Sequence, residues 1–307
     1  MSPVSSRLPT RIVVVGSSGR LGSLLVKSFE KDCIVTGLSR AQLDLGSLES
    51  ISNALEPLEY DLLFIAGALT GVDFCETNAA EAYQINATGP GRIAGISATK
   101  NAHVTYFSTD MVYDGLKPEP YSETDTPHPI SVYGASKLKG EELVLNASAS
   151  NLVLRVSWLY GPGRPAFPEW IINKACAESH VTLPGNKVAC STCTVDLIGL
   201  MQPLLFGHEC PAGGIFNICN SLPCTWRDWG QFCIETARDA GLPVIADQIE
   251  GVPVDSVPAF VAKRPINSAM STSKYTNFTG ITPRTWQDAN LEFLQQSDLF
   301  QKFQSVI

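Results

Sequence analysis

The first half of the chain alternates two hydrophobic rhythms. Short runs that are almost wholly apolar or β-branched, Ile12–Val15, Cys33–Gly37, Leu62–Ile65, Val104–Phe107 and Leu152–Val156, predict strands covered on both faces. Between them, apolar residues recur at helical spacing: Leu21, Leu25 and Phe29, then Leu48, Ile51 and Leu55, then the segments 81–98 and 132–145. Gly89-Pro90-Gly91 falls inside the third of these, so it must perturb that helix or mark a start within it. Strands alternating with helices predict βαβ units with right-handed crossovers. The expected class is α/β, a doubly wound parallel sheet with helices on both faces.

After Tyr160 the texture changes. Gly161-Pro162-Gly163, Pro165 and Pro168 interrupt the alternation. Ile215–Ile218 predicts one more strand returning to the sheet, 226–240 an amphipathic helix, and 242–261, with its prolines, extended chain. The expected division is a sheet domain over 1–160 plus about 190–222. A smaller subdomain takes about 161–189 and 223–307. There is no internal repeat or low-complexity block.

Composition narrows the function. A chain of 307 residues with 44% apolar and 17% charged residues can bury a sizeable core. A net charge of −8 argues against coating nucleic acid, which needs a positive surface. No apolar run approaches the roughly 20 residues that a bilayer crossing needs. The Ser- and Pro-rich start, residues 1–10, lacks the features of a secretory signal and is read as a short frayed tail on a cytoplasmic protein. Nine cysteines, several of them inside apolar runs (Cys33, Cys176, Cys219, Cys233), are expected to be buried reduced thiols. Cys190-x-x-Cys193 has no second pair to complete a zinc site, so no metal is expected.

Two constellations carry chemistry. Gly16-Ser-Ser-Gly19-Arg20-Leu21-Gly22 follows the first strand and opens the first helix. A dinucleotide pyrophosphate needs this arrangement, with glycines for close backbone approach and a helix N-terminus for charge. NAD sites usually carry an acid roughly 20 residues further on, for the ribose hydroxyl. Here Ser39-Arg40 stands there, which favours NADP(H) over NAD(H), with Arg20 able to reach the same phosphate. Tyr133 and Lys137, spaced i and i+4 near the start of a helix, share one face. An ammonium beside a phenol lowers the phenol pKa from about 10. Such a Tyr exchanges protons with a carbonyl or alcohol near neutral pH. Thr109 ends the fourth strand, where ligands of open α/β sheets bind.

Together these stretches resemble the extended short-chain dehydrogenase/reductase family over nearly the whole chain. They are most similar to its dTDP-4-dehydrorhamnose reductase branch. The stretches are Ser108 to Gly115, Pro120 to Glu123, Val132 to Glu141, Arg155 to Gly161 and Arg264 to Ser268 followed by Ser273-Lys274, with Thr70 to Asp73 and Asn86 to Gly89. The resemblance implies a Rossmann-type fold with a smaller C-terminal substrate-binding subdomain. It implies an oxidoreductase transferring hydride from NADPH to the C4 ketone of a nucleotide-linked 6-deoxy sugar, in dTDP-rhamnose biosynthesis. Tyr133 would protonate the forming alkoxide, Lys137 would lower its pKa and hold the nicotinamide ribose, and Thr109 would hydrogen-bond the carbonyl. Ser18, Ala66, Gly67 and Ala68 would wall the cofactor beside the glycines, with Asp44 and Leu45 at the adenine. Val72, Asp73, Met111 and Trp158 would face the sugar.

The chain also departs from the family pattern. Met111 and Leu69 stand where Tyr is usual, Gly163-Arg-Pro-Ala-Phe167 lacks the usual Asn, and Ser191-Thr-Cys-Thr194 replaces a Pro-Thr pair. Two alternatives follow. One is an NADP-binding regulatory subunit of the methionine adenosyltransferase β type, motivated by the altered sugar pocket. The other is a nucleotide-sugar epimerase or dehydratase, disfavoured because Met111 stands where dehydratases carry Glu. The histidines 103, 128, 180 and 208 are expected in surface or structural roles, and Trp226 and Trp229 in packing. Phe293, Leu294, Leu299, Phe300 and Phe303 form an apolar face, read either as core or as a contact for a second copy in a homodimer.

Overall fold

The computed structural model describes residues 10–207 and 212–304. In chain order the first half comprises β1 (Arg11–Val15), α1 (Arg20–Phe29), β2 (Ile34–Leu38), α2 (Leu48–Leu55), β3 (Leu62–Ile65), α3 (Val72–Thr77), α4 (Ala79–Tyr83), α5 (Gly89–Thr99), β4 (His103–Thr109), α6 (Val132–Ala147) and β5 (Leu152–Val156). Then come β6 (Leu159–Tyr160), α7 (Phe167–Ala177), β7 (Val181–Pro184), β8 (Val188–Ala189), β9 (Thr192–Cys193), α8 (Thr194–Phe206), β10 (Gly214–Asn217), β11 (Cys224–Thr225), α9 (Trp226–Asp239), β12 (Ile249–Val252), α10 (Ser273–Thr279), α11 (Trp286–Gln296) and α12 (Asp298–Gln304). The expected tail at 1–9 and His208 lie outside the described residues.

Six strands form one sheet in the order β10-β5-β4-β3-β1-β2, every pair parallel. This is the Rossmann-type, doubly wound arrangement. The five predicted strands and the returning strand β10 are present, with boundaries shifted by at most two residues. Alternate strand residues feed two cores. Ile12, Val14, Phe64 and Leu154 pack with Leu21, Leu25 and Phe29 of α1 and with α8 on one face. Val13, Val15, Leu63 and Val153 pack with α2 and α5 on the other. Burying each large side chain contributes roughly 1.5–3 kcal/mol, so a one-residue slip that exchanged these faces would be strongly disfavoured.

The predicted long helix over 81–98 is continuous from Ala79 to Thr99 but perturbed: a π-helical turn, Gln84–Thr88, falls within it shortly before Pro90, whose missing N–H interrupts the regular ladder. A third core joins Tyr160, Ile171, Trp229, Cys233, Trp286, Phe293, Leu294 and Phe300. The C-terminal apolar face is therefore core at Phe293, Leu294 and Phe300. No helix of the described residues is long and apolar enough to cross a membrane.

Candidate active site

The chain turns to opposite sides of the sheet after β1 and after β2, and ligands of such sheets bind beyond the strand ends at that switch. There Gly16 adopts φ 83°, and a Cβ on it would lie 2.6 Å from the Gly67 nitrogen. Only glycine lets the turns after β1 and β3 meet so closely. Gly19 caps α1 without a side-chain hydrogen bond, and the first turn carries no acid. The unsatisfied N–H groups of that turn are suited to an anion.

A cavity of about 770 Å³ runs from this turn across the strand ends. Of the expected residues it is lined by Gly16, Ser18, Gly19, Arg20, Leu21, Arg40, Asp44, Leu45, Ala66, Gly67, Ala68, Val72, Thr109, Met111, Tyr133 and Trp158. Gly22, Ser39, Asp73 and Lys137 are not on its wall. Gly22 packs inside the turn against Gly16, and Ser39 is engaged by the Gln42 side chain, its N–H at 3.0 Å and its hydroxyl at 2.7 Å.

Three expectations need correction. Arg20 is not a free phosphate ligand. Its guanidinium donates to the carbonyls of Gly161, Arg164 (2.7 Å) and Pro165 (2.9 Å), while Arg164 donates back to the Ser18 carbonyl at 2.9 Å. The two arginines clasp the 161–165 loop onto the glycine turn. Asp73 does not face the sugar space. It accepts from the Val261 and Ala262 amides and from both terminal nitrogens of Arg264, and these bonds hold its carboxyl down at about 2. Arg264 itself lines the cavity. The third correction concerns Tyr133. Burial pushes its phenol above the ordinary value instead of below it, with Asp110 and Cys75 acting in the same direction and Thr109 opposing. The Lys137 amine lies 3.9 Å from the centre of the Tyr106 ring.

Local sequence explains how the trio is assembled. Ser131 caps α6 through the Gly134 amide at 3.2 Å, placing Tyr133 in the first turn. A side chain at Gly134 would collide with the Met111 carbonyl, so α6 seats directly on the turn after β4 that presents Thr109. Asn86, from the π-helical turn, bonds Leu69 in both directions and donates to Ser136 at 3.0 Å, tying the β3 loop to α6. Lys137 is 1% exposed. Desolvation brings its amine down to about 7, against the pull of Glu141. Glu141 is itself held by Arg155 at 2.6 and 2.9 Å and by the Ser108 hydroxyl. Trp158 takes φ 42°, a strained conformation for a bulky residue, and is held there between Trp226 and the parallel Trp229 ring, 5.8 Å away.

Lys187, Ser268 and Arg264 carry charge or polarity to this end of the cleft and were assigned no role from sequence. Arg264 and Ser268 lie in a stretch that carries the resemblance, but Lys187 sits in no motif.

Fold and site together define an α/β protein with a glycine-turn cleft and a Thr-Tyr-Lys trio at the strand ends. Residues 10–299 match the family model described as RmlD substrate binding domain, and the chain belongs to that family. The dTDP-4-dehydrorhamnose reductase of Escherichia coli is 30% identical over 252 residues, covering 80% of this chain and 82% of the relative. The solved dTDP-4-dehydrorhamnose reductase ortholog of Clostridium acetobutylicum superposes with a TM-score of 0.85 at 28% identity, over 95% of this chain and 99% of that one. The Bacillus anthracis dTDP-4-dehydrorhamnose reductase, solved in complex with NADP, has a TM-score of 0.86 at 24% identity, over 94% of this chain and all of that one, and speaks for the fold.

Proposed function

We propose that this chain is an NADPH-dependent reductase of a nucleotide-linked 4-keto-6-deoxy sugar, acting as a dTDP-4-dehydrorhamnose reductase in dTDP-L-rhamnose formation. The observation that carries this reading is the placing of Thr109 and Tyr133 together at one end of a cavity whose other end is the glycine turn. Membership in the family and relatives named for this reaction support it.

The residues present fit a dinucleotide. The uncapped first turn of α1, beside Gly16, Ser18 and Gly19, suits the pyrophosphate. Asp44 and Leu45 suit the adenosine, and the exposed Arg40 suits a 2′-phosphate. Ala66, Gly67 and Ala68 wall the path toward Tyr133. When bound, the reduced nicotinamide supplies a hydride to the ketone carbon. The Tyr133 hydroxyl then gives its proton to the oxygen that becomes the alcohol. Thr109 lines the cavity beside the phenol. The buried Lys137 amine lies one turn from Tyr133 on α6, over the Tyr106 ring and behind the cavity wall, so it reaches the nicotinamide ribose only if its side chain swings toward the cofactor. Arg264, fixed by Asp73, and Trp158 enclose the sugar end. We assign the nucleotide to the smaller unit, about 161–189 and 223–307, and the dinucleotide to 1–160 with about 190–222.

The direct test follows NADPH oxidation at 340 nm with freshly made dTDP-4-keto-6-deoxy-L-mannose. Turnover is expected, faster with NADPH than with NADH. Tyr133→Phe is expected to bind NADPH normally and to lose roughly 10²–10⁴-fold in kcat. Unchanged turnover in that variant refutes the assignment.

A further inference from the structure

A hydrogen-bonded chain links the second half of the molecule to Thr109, which lines the cavity beside the phenol of Tyr133. It begins at Lys187, on the cavity wall just before β8 and 2% exposed. Its ammonium donates to the Ser268 hydroxyl at 2.6 Å. Ser268, fully buried, donates to one carboxylate oxygen of Asp110. Thr109 donates to the other at 3.1 Å, and Thr109 and Tyr133 line the same end of the cavity. Asp110 is 3% exposed. A carboxylate this deep beside the reacting hydroxyls is costly without a partner. It also opposes any negative charge on Tyr133. Among the described residues, Lys187 is the cation joined to that carboxylate through a hydrogen bond.

Resting on the reductase reading, we propose that Lys187, acting through Ser268, is the counter-charge that neutralises Asp110 and so leaves Tyr133 able to release its proton during turnover. Lys187 is a positioning residue, because it reaches the reacting atoms only through Ser268, Asp110 and Thr109. The other titratable groups facing this chain are Cys75 of α3, Tyr106 of β4, Cys190 after β8, Cys219 after β10, and Arg264. Arg264 is committed to Asp73, and Cys190 lies buried at the Met270 carbonyl. The nearest cation on α6, Lys137, stands over the Tyr106 ring instead of bonding Asp110.

With Lys187 removed, the bare Asp110 charge makes the phenol a weaker acid. Lys187→Met is expected to lower kcat roughly tenfold. It should also remove from the kcat profile the fall near pH 8, where desolvation brings the wild-type Lys187 amine to lose its proton. Ser268→Ala keeps both charges but cuts their link, so it should change the profile the same way, with KM little changed. Lys187→Met/Asp110→Asn removes both charges and should restore most of kcat. A residue that only filled space would show neither the change in pH profile nor the rescue. Each variant is first checked for wild-type NADPH binding, and Ser268→Ala carries the test should Lys187→Met fail to fold. Wild-type turnover matched by Lys187→Met and Ser268→Ala, with superimposable pH profiles, overturns this inference alone. A wild type that binds NADPH and reduces no 4-keto sugar overturns the reductase reading and this inference with it.

Discussion

Removing one partner of the buried Glu141–Arg155 pair should be the most damaging single change outside the hydrophobic cores. Arg155 is 1% and Glu141 2% exposed, so water does not screen the pair. Nε and Nη2 of Arg155 donate to the two carboxylate oxygens at 2.9 and 2.6 Å, and the remaining terminal nitrogen donates to the Tyr113 hydroxyl at 2.8 Å. Glu141→Gln keeps the shape but turns one acceptor into a donor aimed at a buried cation. Two charge-assisted bonds at about 1.5–3 kcal/mol each agree with the roughly 3–5 kcal/mol lost when a buried pair is broken. With an unfolding entropy of about 2.1 cal/mol/K per residue, this 307-residue chain should lose about 5–8 °C in Tm. The assay is thermal and urea unfolding at pH 7, with Glu141→Leu/Arg155→Met as the control that removes both charges and recovers most of the loss. Glu141 also favours the charged form of Lys137, so the same variant should drop that amine further below its value of about 7. A loss under about 1 kcal/mol at unchanged m-value would refute the reasoning, because it would mean that the guanidinium finds water or another acceptor.

The remaining predictions concern the cofactor end and the trio. Arg40→Ala should weaken NADPH binding about tenfold, as expected for losing a charge-assisted phosphate contact, and leave NADH binding nearly unchanged in a fluorescence titration; equal losses for both would remove Arg40 from the 2′-phosphate. Lys137→Met should change stability in a pH-dependent way. The folded-state pKa of about 7 lies below the usual lysine value, so the folded state binds fewer protons than the unfolded state between those values. The wild type therefore carries its full penalty below pH 7 and loses it as pH rises toward about 10.4. The variant's stability relative to wild type should be greatest at pH 6 and shrink by pH 9, and a pH-independent difference in urea midpoints would show that the amine is not desolvated.

Much of the sheet was legible because its signals are local. The runs at β1, β3 and β5 are apolar but for Arg11 and Arg155, the glycine turn follows β1 directly, and Tyr133 and Lys137 are separated by one helical turn. What failed was the partner of each charged side chain. Arg20 lies in the turn that resembles a phosphate site, yet its guanidinium is taken by the carbonyls of Gly161, Arg164 and Pro165. Asp73 lies beside Val72 on the cleft, yet its acceptors are filled by 261–264. These partners are more than 140 residues away, and no periodicity or spacing reports them. Lys187 is the extreme case: it sits in no motif, and only the fold puts its amine against Ser268.

The three contacts share a logic that bears on how the site forms. Each joins a strand-end loop of the first half to a segment of the second: Arg20 to 161–165, Asp73 to Arg264, and Asp110 through Ser268 to Lys187. Two of these, at Asp73 and Asp110, leave an unpaired carboxylate at the cleft if the second half is displaced. In the third, Arg20 would lose its acceptors. Electrostatics therefore penalises an open or half-docked molecule at the place where the chemistry occurs. The Thr109 and Tyr133 hydroxyls come from β4 and α6, but the Asp110 charge beside Thr109 is met by Ser268 and Lys187 of the later segments. A substitution at Ser268, remote in sequence from Tyr133, should act on proton transfer before it acts on substrate affinity.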